Sequence, residues 1–210
     1  MAIRSSPWGL VAVSTSSPPD REWPWTRAAR APYAPGVLIE TERLVLRRLA
    51  LADLDEFLAL HRDPEVVRFV RGLNRAQAEE RLRANEQEWA ARSHGMLAVL
   101  DRASGCLLGR VGLKHWPQFQ ETEAGWLLRR DAWGHGYATE AGRACLDWGF
   151  AALPITYVTA MIHPENTRSI GVARRLGFEP VREDVLLGDP VVVHAWGGGR
   201  PARSRRSPER

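Results

Sequence analysis

The sequence predicts a mixed α/β fold, a mostly antiparallel seven-stranded sheet flanked by helices, in the order β-α-α-β-β-β-α-β-α-β-β. Three observations carry this. Strand-like and helical periodicities follow one another in that order from Val37 onward. A strand–loop–helix–strand unit covers residues 121–162, and such a unit implies two parallel strands with a crossover helix between them. The three strand segments that lead into that loop are joined by short turns with no helix between them, as in an antiparallel meander.

The elements follow in order. Residues 1–36 hold six of the 14 prolines, several serines and Trp8, Trp23 and Trp25 without a usable period, which predicts a disordered extension. A translation start placed too far upstream would leave the same stretch. The folded domain is expected over 37–197. "VLIETERLVLRRL" reads as its first strand, and "LADLDEFLALH" puts Leu51, Leu54 and Leu58 on one helical face. A second helix is predicted with Asn74 as N-cap and Ala78, Leu82 and Trp89 facing inward. "MLAVLD", "CLLGRVGLKHW" and "ETEAGWLLRR" are the meander strands, the first two joined by the turn "RASG". After the loop and its helix comes the alternating strand "ITYVTAMI". "NTRSIGVARRLGF" is then a short helix, with Asn166 or Thr167 as N-cap and Gly177 as left-handed C-cap. "VREDVLL" and "PVVVHAW" close the sheet around a Gly-Asp turn. Residues 198–210 read as a basic disordered tail.

At 210 residues and 44% hydrophobic, the chain can bury one full core. No apolar run approaches the roughly 18 residues that span a bilayer, and the N-terminal run Trp8–Val13 is shorter than a signal-peptide core. Cys106 and Cys145 lack metal-type spacing and are expected to be buried free thiols in a reducing cytoplasm. The six histidines show no H-E-x-x-H or comparable cluster, so no metal is expected. The charge is local: the tail holds five arginines and one glutamate, a surplus equal to the +4 of the whole chain. Nucleic acid is therefore not an expected partner, except through that tail.

"WGHGYATE" at 133–140 sets two glycines directly before a helix whose inner face, Ala138, Gly142, Cys145 and Gly149, is made of small residues. A helix start offers unpaired N–H groups and the positive end of a dipole, and bare backbone admits a ligand closely, so the expected guest is an anion such as phosphate. The chain has no Gly-Lys-Ser/Thr run of the P-loop type. A dinucleotide fingerprint also fails, because Thr139 stands where its third glycine or alanine belongs and successive βα units are missing.

From about Val37 to Trp196 the chain resembles the GCN5-related N-acetyltransferase (GNAT) family, and more narrowly the branch of the ribosomal-protein N-terminal alanine acetyltransferases. The matching pieces are "IETERLVLRRL", "DPEVVRFV", "EAGWLLRRDAWGHGYATEA" and "ENTRSIGVARRLGFEPV". The resemblance implies acetyl-CoA as acetyl donor. Its pyrophosphate would rest on the backbone of Trp133, Gly134, His135, Gly136, Tyr137, Ala138 and Thr139. Tryptophan at 133 is usual in the branch, where the wider family has Gln or Arg. The pantetheine arm would bond to backbone near Leu127 and Leu128, between the splayed fourth and fifth strands, as a form of strand addition. Asn166 would orient the last helix or touch that arm.

The resemblance also implies the proton carriers. Glu123 matches a position that often carries the general base, and Asp184 is the rival for that role. Many relatives place a tyrosine acid where this chain has Ala173; here Ser169 is left to protonate the thiolate, or to serve as a first-turn serine bonded to backbone. His135 and His163 fall near the expected site without an assigned role. The expected acceptor is a primary amine, either a protein N-terminus or a small molecule, and a monomer or homodimer fits equally. An α-amine with pKa near 8 needs only a weak base. The competing expectation is a catalytically silent CoA-binding or interaction module.

Overall fold

The structure is a computed structural model that describes residues 13–14 and 37–196. The rest of the expected N-terminal extension and the whole of the expected tail lie outside the described residues. The strands are β1 (Val13–Ser14), β2 (Leu38–Glu40), β3 (Leu44–Arg48), β4 (Met96–Asp101), β5 (Leu107–Trp116), β6 (Glu121–Leu128), β7 (Val158–Ile162), β8 (Glu179–Leu186) and β9 (Asp189–Trp196). The helices are α1 (Leu54–Leu60), α2 (Arg75–Arg92), α3 (Tyr137–Ala152) and α4 (Thr167–Leu176).

All strands join one sheet in the order β1-β2-β3-β4-β5-β6-β7-β9-β8, antiparallel throughout except for β6 beside β7. This is the predicted mixed, mostly antiparallel fold, with two differences in strand number. The single first strand expected from "VLIETERLVLRRL" is a hairpin, β2 and β3, because the chain turns at Thr41–Arg43, where the Thr41 hydroxyl accepts the Leu44 N–H at 2.9 Å. The short β1, from the stretch expected to be disordered, adds an edge. The last turn also differs: Leu186 pairs with Asp189, so the two-residue loop is Leu187–Gly188 rather than Gly-Asp. Both loop residues have positive φ, 53° and 92°, as this tight hairpin type requires.

The sheet carries a core on each face. One lies against α3 and α4 and includes Leu113, Val158, Trp148 and Leu176; the other lies against α1 and α2 and includes Phe57, Ala78, Leu82 and Ala98. The Asn74 cap forms as expected, accepting the Gln77 N–H, while the Gln77 side chain accepts the Asn74 N–H in return. Ala78, Leu82 and Trp89 all face inward. The sequence did not flag Asn85 on the same helix, which is buried and bonds both to the Leu49 carbonyl (2.7 Å) and to the Met96 N–H (2.7 Å). It thereby fixes α2 over the start of β4.

The small-residue face of α3 has a more specific cause than close packing on the sheet. A Cβ at Gly142 would lie 2.8 Å from Leu176 of α4, and one at Gly149 would lie 2.8 Å from Leu113 of β5. Leu176 is fully buried and has no room to yield. Gly142→Val is therefore expected to destabilise the fold by roughly 1–3 kcal/mol through overpacking, seen as a lower midpoint in thermal unfolding. Cys145 lies in this core, where burial pushes its thiol up to about 12. Cys106, expected to be buried, is exposed: it stands just before β5, beyond the strand's inward alternation.

Candidate active site

The connection from β6 to α3 is built around two left-handed glycines, Gly134 at φ 80° and Gly136 at φ 81°, the latter serving as the N-cap of α3. A Cβ would meet nothing within 4 Å at Gly134 and only Arg43 Nη2, at 3.6 Å, at Gly136. Their requirement is thus conformational rather than steric. The loop leaves the N–H groups of residues 134–138 without an acceptor among the described residues; the first amides satisfied are those of Thr139 and Glu140, on the Gly136 carbonyl. Five adjacent donors at the positive end of a 16-residue helix are an arrangement that suits an anion.

A salt-bridged clamp holds this loop. Glu140, in the first turn of α3, accepts from the Thr41 hydroxyl (2.6 Å), the Arg43 N–H (3.1 Å) and Arg43 Nε (2.7 Å). Arg43 also donates to the His135 carbonyl (2.9 Å) and lies over the Tyr137 ring. Burial pushes the Glu140 carboxyl up, but the Thr41 and Arg43 donors outweigh it and hold the group below its ordinary range. A carboxyl depressed in the folded state stabilises above its unfolded pKa and loses that contribution as pH falls through the lower folded value. The stability gap between the native protein and Glu140→Gln is therefore expected to close as unfolding is measured from pH 6 down to pH 3.

The loop opens into a cleft of about 820 Å³. Leu127, Leu128, Trp133, Gly134, Gly136, Tyr137, Ala138, Thr139, Asn166 and Ser169, all named from the sequence, line it together. His135 does not: its ring stacks on Tyr137. Glu65, Arg68 and Phe69, from the segment between α1 and α2, form part of the wall and were not named, although "DPEVVRFV" marks that segment. Arg168, over the Trp133 ring, and Arg175, bonded to the Thr139 hydroxyl at 3.2 Å, add positive charge.

β6 and β7 share a single bridge, Glu123 with Thr159, and part beyond it toward the cleft. Leu127 and Leu128 lie at the parted end. The Leu128 carbonyl is already engaged by the Trp133 indole N–H at 2.9 Å, which ties the loop to the strand. Asn166 caps α4 by accepting the Ser169 N–H at 3.1 Å, while the Ser169 hydroxyl makes no hydrogen bond among the described residues. The His163 ring packs against Phe69 at a tilt of 33° and accepts the Glu165 N–H.

The two candidate bases sit differently, and neither lines the cleft itself. Glu123 stands at the point where the strands part, held by the Trp116 indole N–H (2.5 Å) and the Met161 N–H (3.4 Å). Burial pushes its carboxyl above the ordinary range, against the pull of those donors and of Lys114 and Arg110. Asp184, on β8, is paired with Arg182 (3.2 Å), which also pairs with the buried Glu121 (2.9 Å). The Asp184 carboxylate is thus engaged in an ion pair on β8.

The acetyltransferase (GNAT) domain family matches residues 43–179. The chain belongs to that family. It is 31% identical over 160 residues to the uncharacterized protein YkkB of Bacillus subtilis, covering 73% of this chain and 92% of that one. It is 29% identical to the uncharacterized N-acetyltransferase p20 of Bacillus licheniformis, covering 66% and 80%. Among solved structures, a GNAT-family acetyltransferase from Bordetella pertussis superposes with a TM-score of 0.67 at 30% identity, covering 75% of this chain and 98% of the other. The fold is shared at 15% identity and TM-score 0.66 with RimL, a ribosomal L7/L12 α-N-protein acetyltransferase in complex with coenzyme A, covering 76% and 97%. This GNAT domain is an acyltransferase, as the resemblance implied. No helix among the described residues is long and apolar enough to cross a membrane.

Proposed function

We propose that this acetyltransferase moves the acetyl group of acetyl-CoA to a primary amine, a protein N-terminal α-amine or a small-molecule amine, by direct attack in a ternary complex. The observation that carries the reading is the run of five unpaired amides at 134–138, opening on a cleft that reaches the parted end of β6 and β7. These residues fit a pyrophosphate and an extended thiol-bearing arm. Acetyl-CoA, when bound, supplies the activated thioester.

This chain's residues do the rest. Amides 134–138 hold the phosphates, with Arg168 and Arg175 beside them. Backbone N–H and C=O groups near Leu127 and Leu128 orient the arm, and Trp133 keeps that end of β6 in place. Glu123, with its raised affinity for protons, takes the amine proton directly or through a water. The Ser169 hydroxyl, on the cleft lining and without a partner among the described residues, delivers a proton to the leaving thiolate or holds the water that does. The arginine pair leaves Asp184 to shape the hairpin.

The test is incubation with acetyl-CoA and a set of α-amine peptides and small amines, reading free thiol release and acceptor mass together. Equal thiol release and acceptor acetylation support the proposal. Cofactor binding without thiol release for any amine would instead identify a silent coenzyme-binding module.

A further inference from the structure

The sheet face beneath α1 and α2 holds charges that the acetyl-transfer reading leaves unexplained. The β5–β6 register sets Arg110 opposite Leu127, Gly112 opposite Gly125 and Lys114 opposite Glu123, so these six residues share one face. Lys114 is the only lysine in the chain. Arg110 has no ion-pair partner among the described residues: its one polar contact is Met96 Sδ at 3.3 Å, and its Nε is sealed from solvent without an acceptor. Lys114 lies 3.9 Å over the Trp116 ring and likewise has no ion pair among the described residues.

Arg81 of α2 adds a third cation. Burial, then the repulsion of Arg81, push the Arg110 guanidinium down to about 10, against the draw of Glu123. Burial and the same arginine lower Lys114, again against Glu123. Of the other carboxylates near this face, Glu121 and Asp184 are taken by Arg182, and Glu88 of α2, which also draws on Lys114, accepts the His115 N–H at 2.8 Å.

Between these cations the row is Gly112 and Gly125. Met96 covers Gly112, where an added Cβ would meet its Sδ at 3.0 Å, whereas a Cβ at Gly125 would meet only the end of that side chain, Met96 Cε, at 3.6 Å. Arg110, Lys114, Glu123 and Gly125 all keep part of their surface exposed. Strand geometry puts Gly125 about 7 Å along the sheet from the rows of both cations, within reach of their long side chains. The next residues, Trp126 and Leu127, line the cofactor cleft.

We propose that the sheet surface at Gly125, beside the Met96 methyl, binds a carboxylate of the acceptor molecule through Arg110 and Lys114, so that the substrate class is amines bearing a nearby carboxylate. The proposal rests on the acetyl-transfer reading for the position of the amine, beside Glu123. A guanidinium whose only polar contact is a thioether has Nη donors to give a carboxylate, and an ammonium supplies a second point charge. The same field disfavours polycationic amines.

Matched pairs test this: a peptide beginning Ala-Asp against Ala-Asn or Ala-Lys, and free alanine against alanine amide. The two kinds of pair separate a side-chain carboxylate from a main-chain one. Each is measured by kcat/KM with acetyl-CoA, and by calorimetric Kd against the protein saturated with CoA, which needs no turnover. The expected result is a preference of roughly 10- to 100-fold for the acidic member of at least one pair. In Arg110→Met the acidic-to-neutral ratio falls toward one, and Arg110→Lys restores part of it; Lys114→Met repeats the test should the first variant not fold. Equal or better binding of the neutral and cationic members overturns the proposal. A preserved Kd preference without product would uphold it while contradicting acetyl transfer.

Discussion

Replacing Glu123 with glutamine is expected to lower kcat by about 10²–10⁴-fold, the usual contribution of a positioned general base, while the affinity for acetyl-CoA stays unchanged. Glutamine is isosteric, and its carbonyl oxygen can still accept the Trp116 indole N–H that holds the carboxylate. The cleft lining does not include residue 123, so cofactor binding has no reason to change. The pH profile separates this from a packing defect. A base must be deprotonated to act, and burial raises this carboxyl. The native enzyme should therefore lose kcat as pH falls through a value above the ordinary carboxylate range, and Glu123→Gln should lack that limb. Asp184→Asn, which disturbs the ion pair with Arg182, is expected to leave the limb in place.

Gly136→Val is expected to abolish cofactor binding without unfolding the protein. The position is at φ 81°, where a β-branched residue is strained by roughly 1–2 kcal/mol or more. Only the end of the Arg43 side chain lies near the space an added Cβ would take, so the core is untouched. Rotation of the cap toward ordinary φ relieves that strain and turns the amides of residues 134–138 away from one another. Isothermal titration should give measurable acetyl-CoA binding for the native protein and none for the variant, with circular dichroism spectra that coincide.

These expectations trace back to different depths of the sequence. The Gly-x-Gly loop before a small-residue helix pointed to an anion site because glycine conformational freedom and helix-end donors are local properties. The Asn74 cap and the inward face of α2 were legible for the same reason. The clamp on Glu140 was not. Its partners lie 97 and 99 residues away, across a turn at Thr41–Arg43 that has neither glycine nor proline to announce it. The last hairpin was placed one residue late because Leu187 takes a positive φ that turn chemistry assigns to glycine, asparagine or aspartate. Glu123 and Asp184 could not be ranked from residue type. Their difference lies in what the sheet puts beside each: an indole and one strand amide for Glu123, an arginine for Asp184. Arg110 and Lys114 carry no local signal of a shared role, because only the strand register sets them in the rows on either side of Gly125.

The central claim, that the bare amides and the cleft exist to hold acetyl-CoA, is tested most directly by thermal unfolding with and without the ligand. At 100 times the dissociation constant, linkage adds about 2.7 kcal/mol of stability. For a chain of this size that raises Tm by roughly 5–11 °C. The account predicts such a rise in the native protein and in Glu123→Gln, and none in Gly136→Val. No rise in the native protein at any acetyl-CoA concentration would contradict it.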